Sequence, residues 1–119
     1  HDWEPGVFHE WRKRVKYLWY HVRILESLWP NPLDELADEI HDLSDYLGDD
    51  HDLVALRHFV QAHPDIAEDD QTIEALVALI EQRRAELQTA ARPLGKRIYL
   101  EKPKRFAKRV AGYWKITYE

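Results

Sequence analysis

Val7-Phe8-His9-Glu10-Trp11-Arg12-Lys13-Arg14-Val15-Lys16-Tyr17-Leu18-Trp19-Tyr20 carries two stripes at once. Phe8, Trp11, Val15, Leu18, Val22 and Leu25 recur at steps of three and four, the period of one apolar helix face. Val7, Trp19 and Leu28 widen that face. His9, Arg12, Lys13, Lys16, Tyr20 and Arg23 fall at offsets 0, 3, 4, 7, 11 and 14, so they gather on a second face. Pro5-Gly6 precedes this stretch and Pro30-Asn31-Pro32 follows it. The spacing therefore predicts a helix from just after Gly6 to near Trp29, on the order of 35 Å long.

The same reading continues outward. Leu33, Leu36, Ile40, Leu43 and Leu47 predict a second helix starting near Pro32, with Asn31 as its N-cap and Gly48 as its C-cap. Asp49 or Asp50 is then expected to cap a third helix carrying Leu53, Leu56, Phe59 and Val60 and ending before Pro64. Ile73, Leu76, Val77, Ile80 and Leu87 predict a fourth, from about Asp70 to about Ala91, which Pro93 and Gly95 should kink or break. Phe106, Val110, Tyr113 and Trp114 mark a last helix after Pro103. No segment alternates as a strand would. The expectation is an all-α chain, an antiparallel helical bundle of four to five helices, with residues 1–119 as a single bundle.

Composition bounds the function. The 119 residues are 45% hydrophobic and include five Trp and six Tyr, enough for a core. With no cysteine, disulfides and thiolate chemistry are excluded. No apolar run approaches the roughly 20 residues needed to span a bilayer. His1 to Pro5 have neither the basic nor the apolar region of a signal peptide, so a cytoplasmic location is expected. The chain also lacks Met, which suggests a piece of a longer polypeptide. The net charge of −5 conceals strong segregation. Residues 31–70 hold thirteen acids and only Arg57 as a base, whereas residues 92–115 hold nine bases and only Glu101 as an acid.

Concentrated basic charge needs a polyanion or an acidic helix to meet it. The helix-one stripe is one candidate surface. Lys96, Arg97, Lys102, Lys104, Arg105, Lys108, Arg109 and Lys115 form the other, with Lys104 and Lys108 on one helical face. Packed together, the first and last helices would present a continuous positive groove. Arg offers a fork of donors and Lys a point charge, and both suit phosphate oxygens. A third element, Leu47-Gly48-Asp49-Asp50-His51-Asp52, reads as a turn that places His51 in the first turn of a helix, where open backbone N–H groups favour anions.

The stretch His9-Glu10-Trp11-Arg12-Lys13-Arg14-Val15-Lys16-Tyr17-Leu18-Trp19-Tyr20 resembles the H-x-x-R-K-x-x-K-x-x-R-Y helix of CHAD domains, the conserved histidine α-helical domains. Leu47-Gly48-Asp49-Asp50-His51-Asp52 is similar to the turn bearing another of their histidines. Leu94-Gly95-Lys96-Arg97 and Glu101-Lys102-Pro103-Lys104 are similar to the end of that domain. One departure is plain: Trp19 stands where the signature has its second arginine. The resemblance implies two similar helical bundles around a basic channel that binds inorganic polyphosphate, with association with polyphosphate granules and frequent company of a CYTH domain. This chain resembles the second bundle, with the N-terminal half absent. It would pair with that half or with a second copy in a homodimer. Carried over by position, the polyphosphate-binding set is His9, Arg12, Lys13, Lys16, Tyr20 and His51, with Arg57, Lys104 and Lys108 behind them. Neither a catalytic residue nor a cofactor or metal is implied.

Three other readings compete. His1-Asp2, His41-Asp42 and His51-Asp52 supply pieces of an HD-type metal-dependent phosphohydrolase, although adjacent His-Asp pairs arise by chance in a chain rich in both. The basic helices with Tyr17, Trp19 and Tyr20 could bind nucleic acid, against which stands the acidic 31–70 segment. Basic and acidic helices could also simply pair, with no ligand. From the residues alone, the conclusion is a helical bundle with a polyanion-facing basic surface; polyphosphate comes from the resemblance.

Overall fold

The computed structural model describes the backbone of residues 5–119 and side chains from Glu10 onward. It is 91% helical. Helix α1 runs Pro5–Leu25, α2 Pro30–Ala62, α3 Asp70–Ile98 and α4 Pro103–Tyr118, with short 3-10 turns at Glu26–Leu28 and Pro64–Ile66. No strand occurs among the described residues.

The break after α1 is the one that the prolines dictate. The 3-10 turn leads to Trp29, whose carbonyl accepts from Leu33 N–H at 3.2 Å, and Pro30 sits in the first turn of α2. Asn31 therefore lies inside the helix rather than capping it. At the start of α3, the carboxylate of Asp69 accepts from Thr72 N–H at 2.8 Å, a side-chain N-cap.

Two expected interruptions do not occur. The predicted second and third helices are one, because α2 continues through Gly48 with no left-handed residue. The reason is its buried face: Leu43, Leu47 and Asp50 follow one another at helical spacing, all essentially inaccessible to solvent. Asp49 and Asp50 consequently cap nothing. Likewise α3 passes through Pro93 to Ile98. Losing the Pro93 N–H is outweighed by the packing of Leu94, Gly95 and Ile98 beyond it.

The core lies where α1 crosses the first half of α2. Val15 and Val22 meet Leu33, Ala37, Ile40, Leu43 and Leu47, and Ala91 of α3 closes the cluster. Each fully buried Val, Leu or Ile side chain of this set contributes about 1.5–3 kcal/mol of transfer free energy. Trp11, Leu18, Leu94, Ile98, Phe106 and Tyr113 pack at its edge.

The molecule measures 69 × 23 × 20 Å. It is long because α2 has 33 residues and α3 has 29, whereas α1 has 21. Among the described residues, the far ends of α2 and α3 pair with each other around Val60, Ile80 and Leu87. That hairpin is pinned by a buried ion pair. Arg84 Nε donates to Asp50 Oδ1 at 3.0 Å and Nη2 to Oδ2 at 3.3 Å. Gln88 adds a bond to Asp50 Oδ1 at 3.4 Å. Burial works against the Arg84 cation, but Asp50 and Glu81 outweigh it and raise its pKa. Glu81, also bonded to Arg57, is disfavoured by burial yet held below the usual carboxylate range by these two arginines. Among the described residues, no helix is long and apolar enough to cross a membrane.

Candidate polyanion-binding site

The core stripe fixes how α1 is rotated, and with it where its cations point. Three contacts mark the side of α1 that faces α2: Arg12 against Gly48, Trp19 with its ring centroid 5.3 Å from that of His41, and Arg23 with Nη1 3.5 Å from Asp34 Oδ1. The opposite flank faces the end of α3 and α4: Arg14 lines a cleft with Gly95 and Lys96, and His21 and Leu25 line one with Phe106 and Val110. Lys16 falls one helical turn after Arg12, on the α2 flank, while Lys13 points outward beside them.

Arg12 is the best-defined member. A side-chain carbon at position 48 would stand 3.7 Å from its Nε and 3.9 Å from Nη2, so the guanidinium lies over the bare backbone of the glycine. Its Nε is buried and has no hydrogen-bond partner among the described residues. Gly48 thus lies against the arginine with space for a Cβ; it does not turn the chain. His51 follows Gly48 by three residues on the same face of α2 and is half-buried. Its Nδ1 lies 3.8 Å from Asp52 Oδ1. His51 sits in mid-helix, so the open N–H groups expected around it are instead spent within α2.

Lys13, Lys16 and Tyr20 are exposed. Among the described residues, Arg12, Lys13 and Lys16 enter no ion pair, whereas Arg23, Arg57, Arg83, Arg84 and Arg109 all do. Among the described residues, Arg12, Lys13 and Lys16 on the first half of α1 thus have no ion-pair partner, even though the outward face of α2 beside them carries Asp38, Asp42, Asp45, Asp49 and Asp52.

The predicted set is only partly brought together. His9 lies on α1, but its side chain is outside the described residues. Arg57 is on the α3 side of α2 and is held by Glu81. Lys104 and Lys108 are exposed on α4. Because α4 packs on the His21–Leu25 flank, the outward ridge of α1 separates them from Arg12 and Lys16. First and last helices do not form one continuous groove. Arg109 turns back on its own segment, where Glu101 takes its Nε at 3.1 Å and Nη2 at 2.7 Å. That pairing raises the pKa of Arg109 and lowers that of Glu101.

A family model described as the CHAD domain matches residues 2–61, half of the chain. The chain belongs to the CHAD domain family. The matched segment covers α1, the 3-10 turn and α2, and so includes every contact between Arg12, Gly48 and His51. No curated protein and no solved structure matches the chain.

Within the CHAD signature, Trp19 is a packing residue. Besides meeting His41, its ring lies 5.1 Å from that of Tyr20 and 5.9 Å beneath the Arg23 guanidinium. Arg23 is in turn committed to Glu26 and Asp34. His41, Asp42 and Asp45 place three potential metal-ligand atoms within 4.8 Å of one another, but all three side chains are exposed on one helix, and among the described residues no second element contributes a donor; the His1-Asp2 pair lies outside the described residues. Among the described residues, the convergence of separate elements that an HD-type centre requires is not found there.

Proposed function

We propose that this CHAD chain binds inorganic polyphosphate along the flank of α1 that faces α2, with Arg12, Lys13 and Lys16 as the main phosphate contacts and His9, Tyr20 and His51 around them. The observation that carries this reading is the state of Arg12. It is anchored over Gly48 by packing and has no carboxylate partner among the described residues. A guanidinium held this way, with its Nε buried, keeps its terminal Nη groups for an external anion, with less side-chain entropy left to lose on binding. Among the described residues, Arg12, Lys13 and Lys16 make no ion pair with α2, which favours a ligand over simple pairing of basic and acidic helices. The acidic outer face of α2 narrows the usable strip, which suits a thin phosphate chain better than a duplex. The role is binding, with no catalytic residue. An open strip of this kind would be completed by the other half of the domain or by a second copy.

The test is a titration of long-chain polyphosphate into the parent and into Lys13→Glu/Lys16→Glu, at two salt concentrations, with duplex DNA and single-stranded RNA as competitors. Salt-sensitive binding that prefers polyphosphate and falls at least about tenfold in the double variant is expected. Unchanged affinity in a variant of parental helicity would remove this flank as the site. Equal competition by the nucleic acids would move the reading to a general polyanion binder.

A further inference from the structure

An apolar surface between α1 and α4 has no cover among the described residues. Helix α4 is held to the body by one side: Phe106 lines a cleft with Leu18 and Leu36, and the Tyr113 ring stands 4.8 Å from that of Trp29. Ala107, Ala111, Trp114 and Tyr118 fall at offsets 0, 4, 7 and 11, a second apolar row beside the first, and all four are exposed. Trp114 and Tyr118 are 53% and 61% exposed, with ring centroids 4.4 Å apart. Across a groove of about 520 Å³ from Ala107, Ala111 and Trp114 stand His21, Leu25 and Leu28. Ile24 shares their face, three residues after His21 and four before Leu28, and is 74% exposed. Lys104, Lys108 and Lys115, at offsets 0, 4 and 11, run along the outer edge of the α4 row. Helix α4 contains no acid, and none of these three lysines enters an ion pair among the described residues.

We propose that the α1–α4 groove is a docking site for one amphipathic helix of a partner protein, whose apolar stripe is edged by carboxylates. The shape suits a helix. Two helices packed side by side leave a trough, and a third, about 10–12 Å across with its side chains, fills it. Ala107 and Ala111, one turn apart, let the backbone of that helix come close to α4. Its apolar stripe would cover Trp114 and Ile24, which otherwise stay in water. The charge selects the partner: a row of unpaired lysines along one edge calls for carboxylates on the docked helix and repels a basic one. A bilayer surface is flat on this scale; it would reach Trp114 and Tyr118 but not the depth of a trough. A phosphate chain gains nothing from apolar walls. The groove goes beyond the α1–α2 strip and does not depend on it, because the two lie on opposite flanks of α1 and share no residue.

The experiment is fluorescence anisotropy with a labelled synthetic helix of about 18 residues, or five turns, bearing a leucine stripe edged by glutamates. The control peptide has lysines in place of the glutamates. The proteins are the parent, Ala111→Glu, Trp114→Ala and Lys13→Glu/Lys16→Glu. The acidic helix is expected to bind the parent at least about tenfold more tightly than the basic one. Ala111→Glu and Trp114→Ala should each weaken it at least about tenfold, as for a blocked groove and a lost aromatic anchor. Lys13→Glu/Lys16→Glu should change it less than about threefold. All the substituted side chains are exposed, and thermal melts check that the fold is kept. A parent that does not bind the acidic helix, equal binding of the basic one, or full affinity in Ala111→Glu would each overturn the proposal. A loss confined to Lys13→Glu/Lys16→Glu would overturn it too, while the strip proposed for polyphosphate stood. Two parallel measurements test other occupants. A parent that is dimeric in sedimentation but monomeric as Ala111→Glu gives the groove to a second copy. A parent that ignores the peptide but binds phosphatidylserine vesicles through Trp114 gives this face to a lipid surface. Either result overturns the helix partner.

Discussion

Replacing Gly48 and Gly95 by alanine, one at a time, should change stability in opposite directions. Both glycines lie inside long helices with ordinary backbone angles, so both forgo the same propensity, about 0.5–1 kcal/mol relative to alanine. Their surroundings differ. At Gly48 the nearest atom that a new Cβ meets is Arg12 Nε at 3.7 Å, an ordinary van der Waals contact with a flexible side chain. At Gly95 it meets Trp11 Cζ2 at 2.8 Å and Cη2 at 3.3 Å, with Leu43 Cδ2 at 3.8 Å behind. The indole must move, and it is wedged between the core and the cleft at Arg14. Overpacking of this kind costs about 1–3 kcal/mol, which exceeds the propensity gain. Gly48→Ala should therefore raise Tm by about 2–5 °C and leave polyphosphate affinity within about threefold of the parent. Gly95→Ala should lower Tm by about 3–8 °C. Thermal melts followed by far-UV circular dichroism, with urea titrations for the free energies, read both. The reasoning is refuted if Gly95→Ala stabilises the protein as much as Gly48→Ala, since the close approach of Trp11 would then carry no energetic weight. A destabilising Gly48→Ala would equally refute the placement of Arg12 over a tolerant site.

Two further predictions concern the ion pairs. Asp50→Ala leaves Arg84 charged and buried without its main partner and should destabilise by about 3–5 kcal/mol, whereas Asp50→Leu with Arg84→Met should recover most of that loss in urea melts. A small effect of the single variant would mean that Glu81 or water compensates Arg84. Glu101→Gln should loosen α4 by about 0.5–1 kcal/mol at neutral pH, as expected for a partly exposed bidentate pair. Arg109 lowers the Glu101 pKa, so this stabilisation is fully present above the unfolded carboxylate range and is lost as pH falls through the lower folded value. The difference between Glu101→Gln and the parent should shrink below about pH 4. A difference that persists at pH 2 would assign the effect to packing rather than charge.

Much of the proposed site was legible because it rests on periodicity within one helix. Offsets of three and four among His9, Arg12, Lys13, Lys16 and Tyr20 put them on one side of α1 whatever α1 packs against. The charge pair that pins the hairpin was also written in the sequence, though in a form easily passed over. Asp50 continues the stripe of Leu43 and Leu47, and Arg84 stands between Ile80 and Leu87. A single opposite charge at a core position of each of two adjacent helices is a signal for a buried pair. The reading of Gly48 failed for a different reason. A glycine beside Asp-Asp is locally a good helix stop, and only the continuing apolar face, buried by α1 and α3 together, tips the balance toward one helix of 33 residues.

By itself the sequence determined an all-α chain, the starts of α1, α3 and α4, the segregation of acids from bases and the basic stripe of the CHAD signature. These follow from propensity, proline and a helical period that need no knowledge of neighbours. Only the tertiary structure decided that neither Gly48 nor Gly95 turns the chain and that Gly95 makes room for Trp11, that α4 docks on the flank of α1 away from Arg12 and Lys16, and that Arg14, Arg92 and Lys96 line one cleft with Trp11. The physical reason is that helical spacing fixes the direction of a side chain about its own axis but not which helix lies in that direction; that choice is made by the apolar faces when they bury one another.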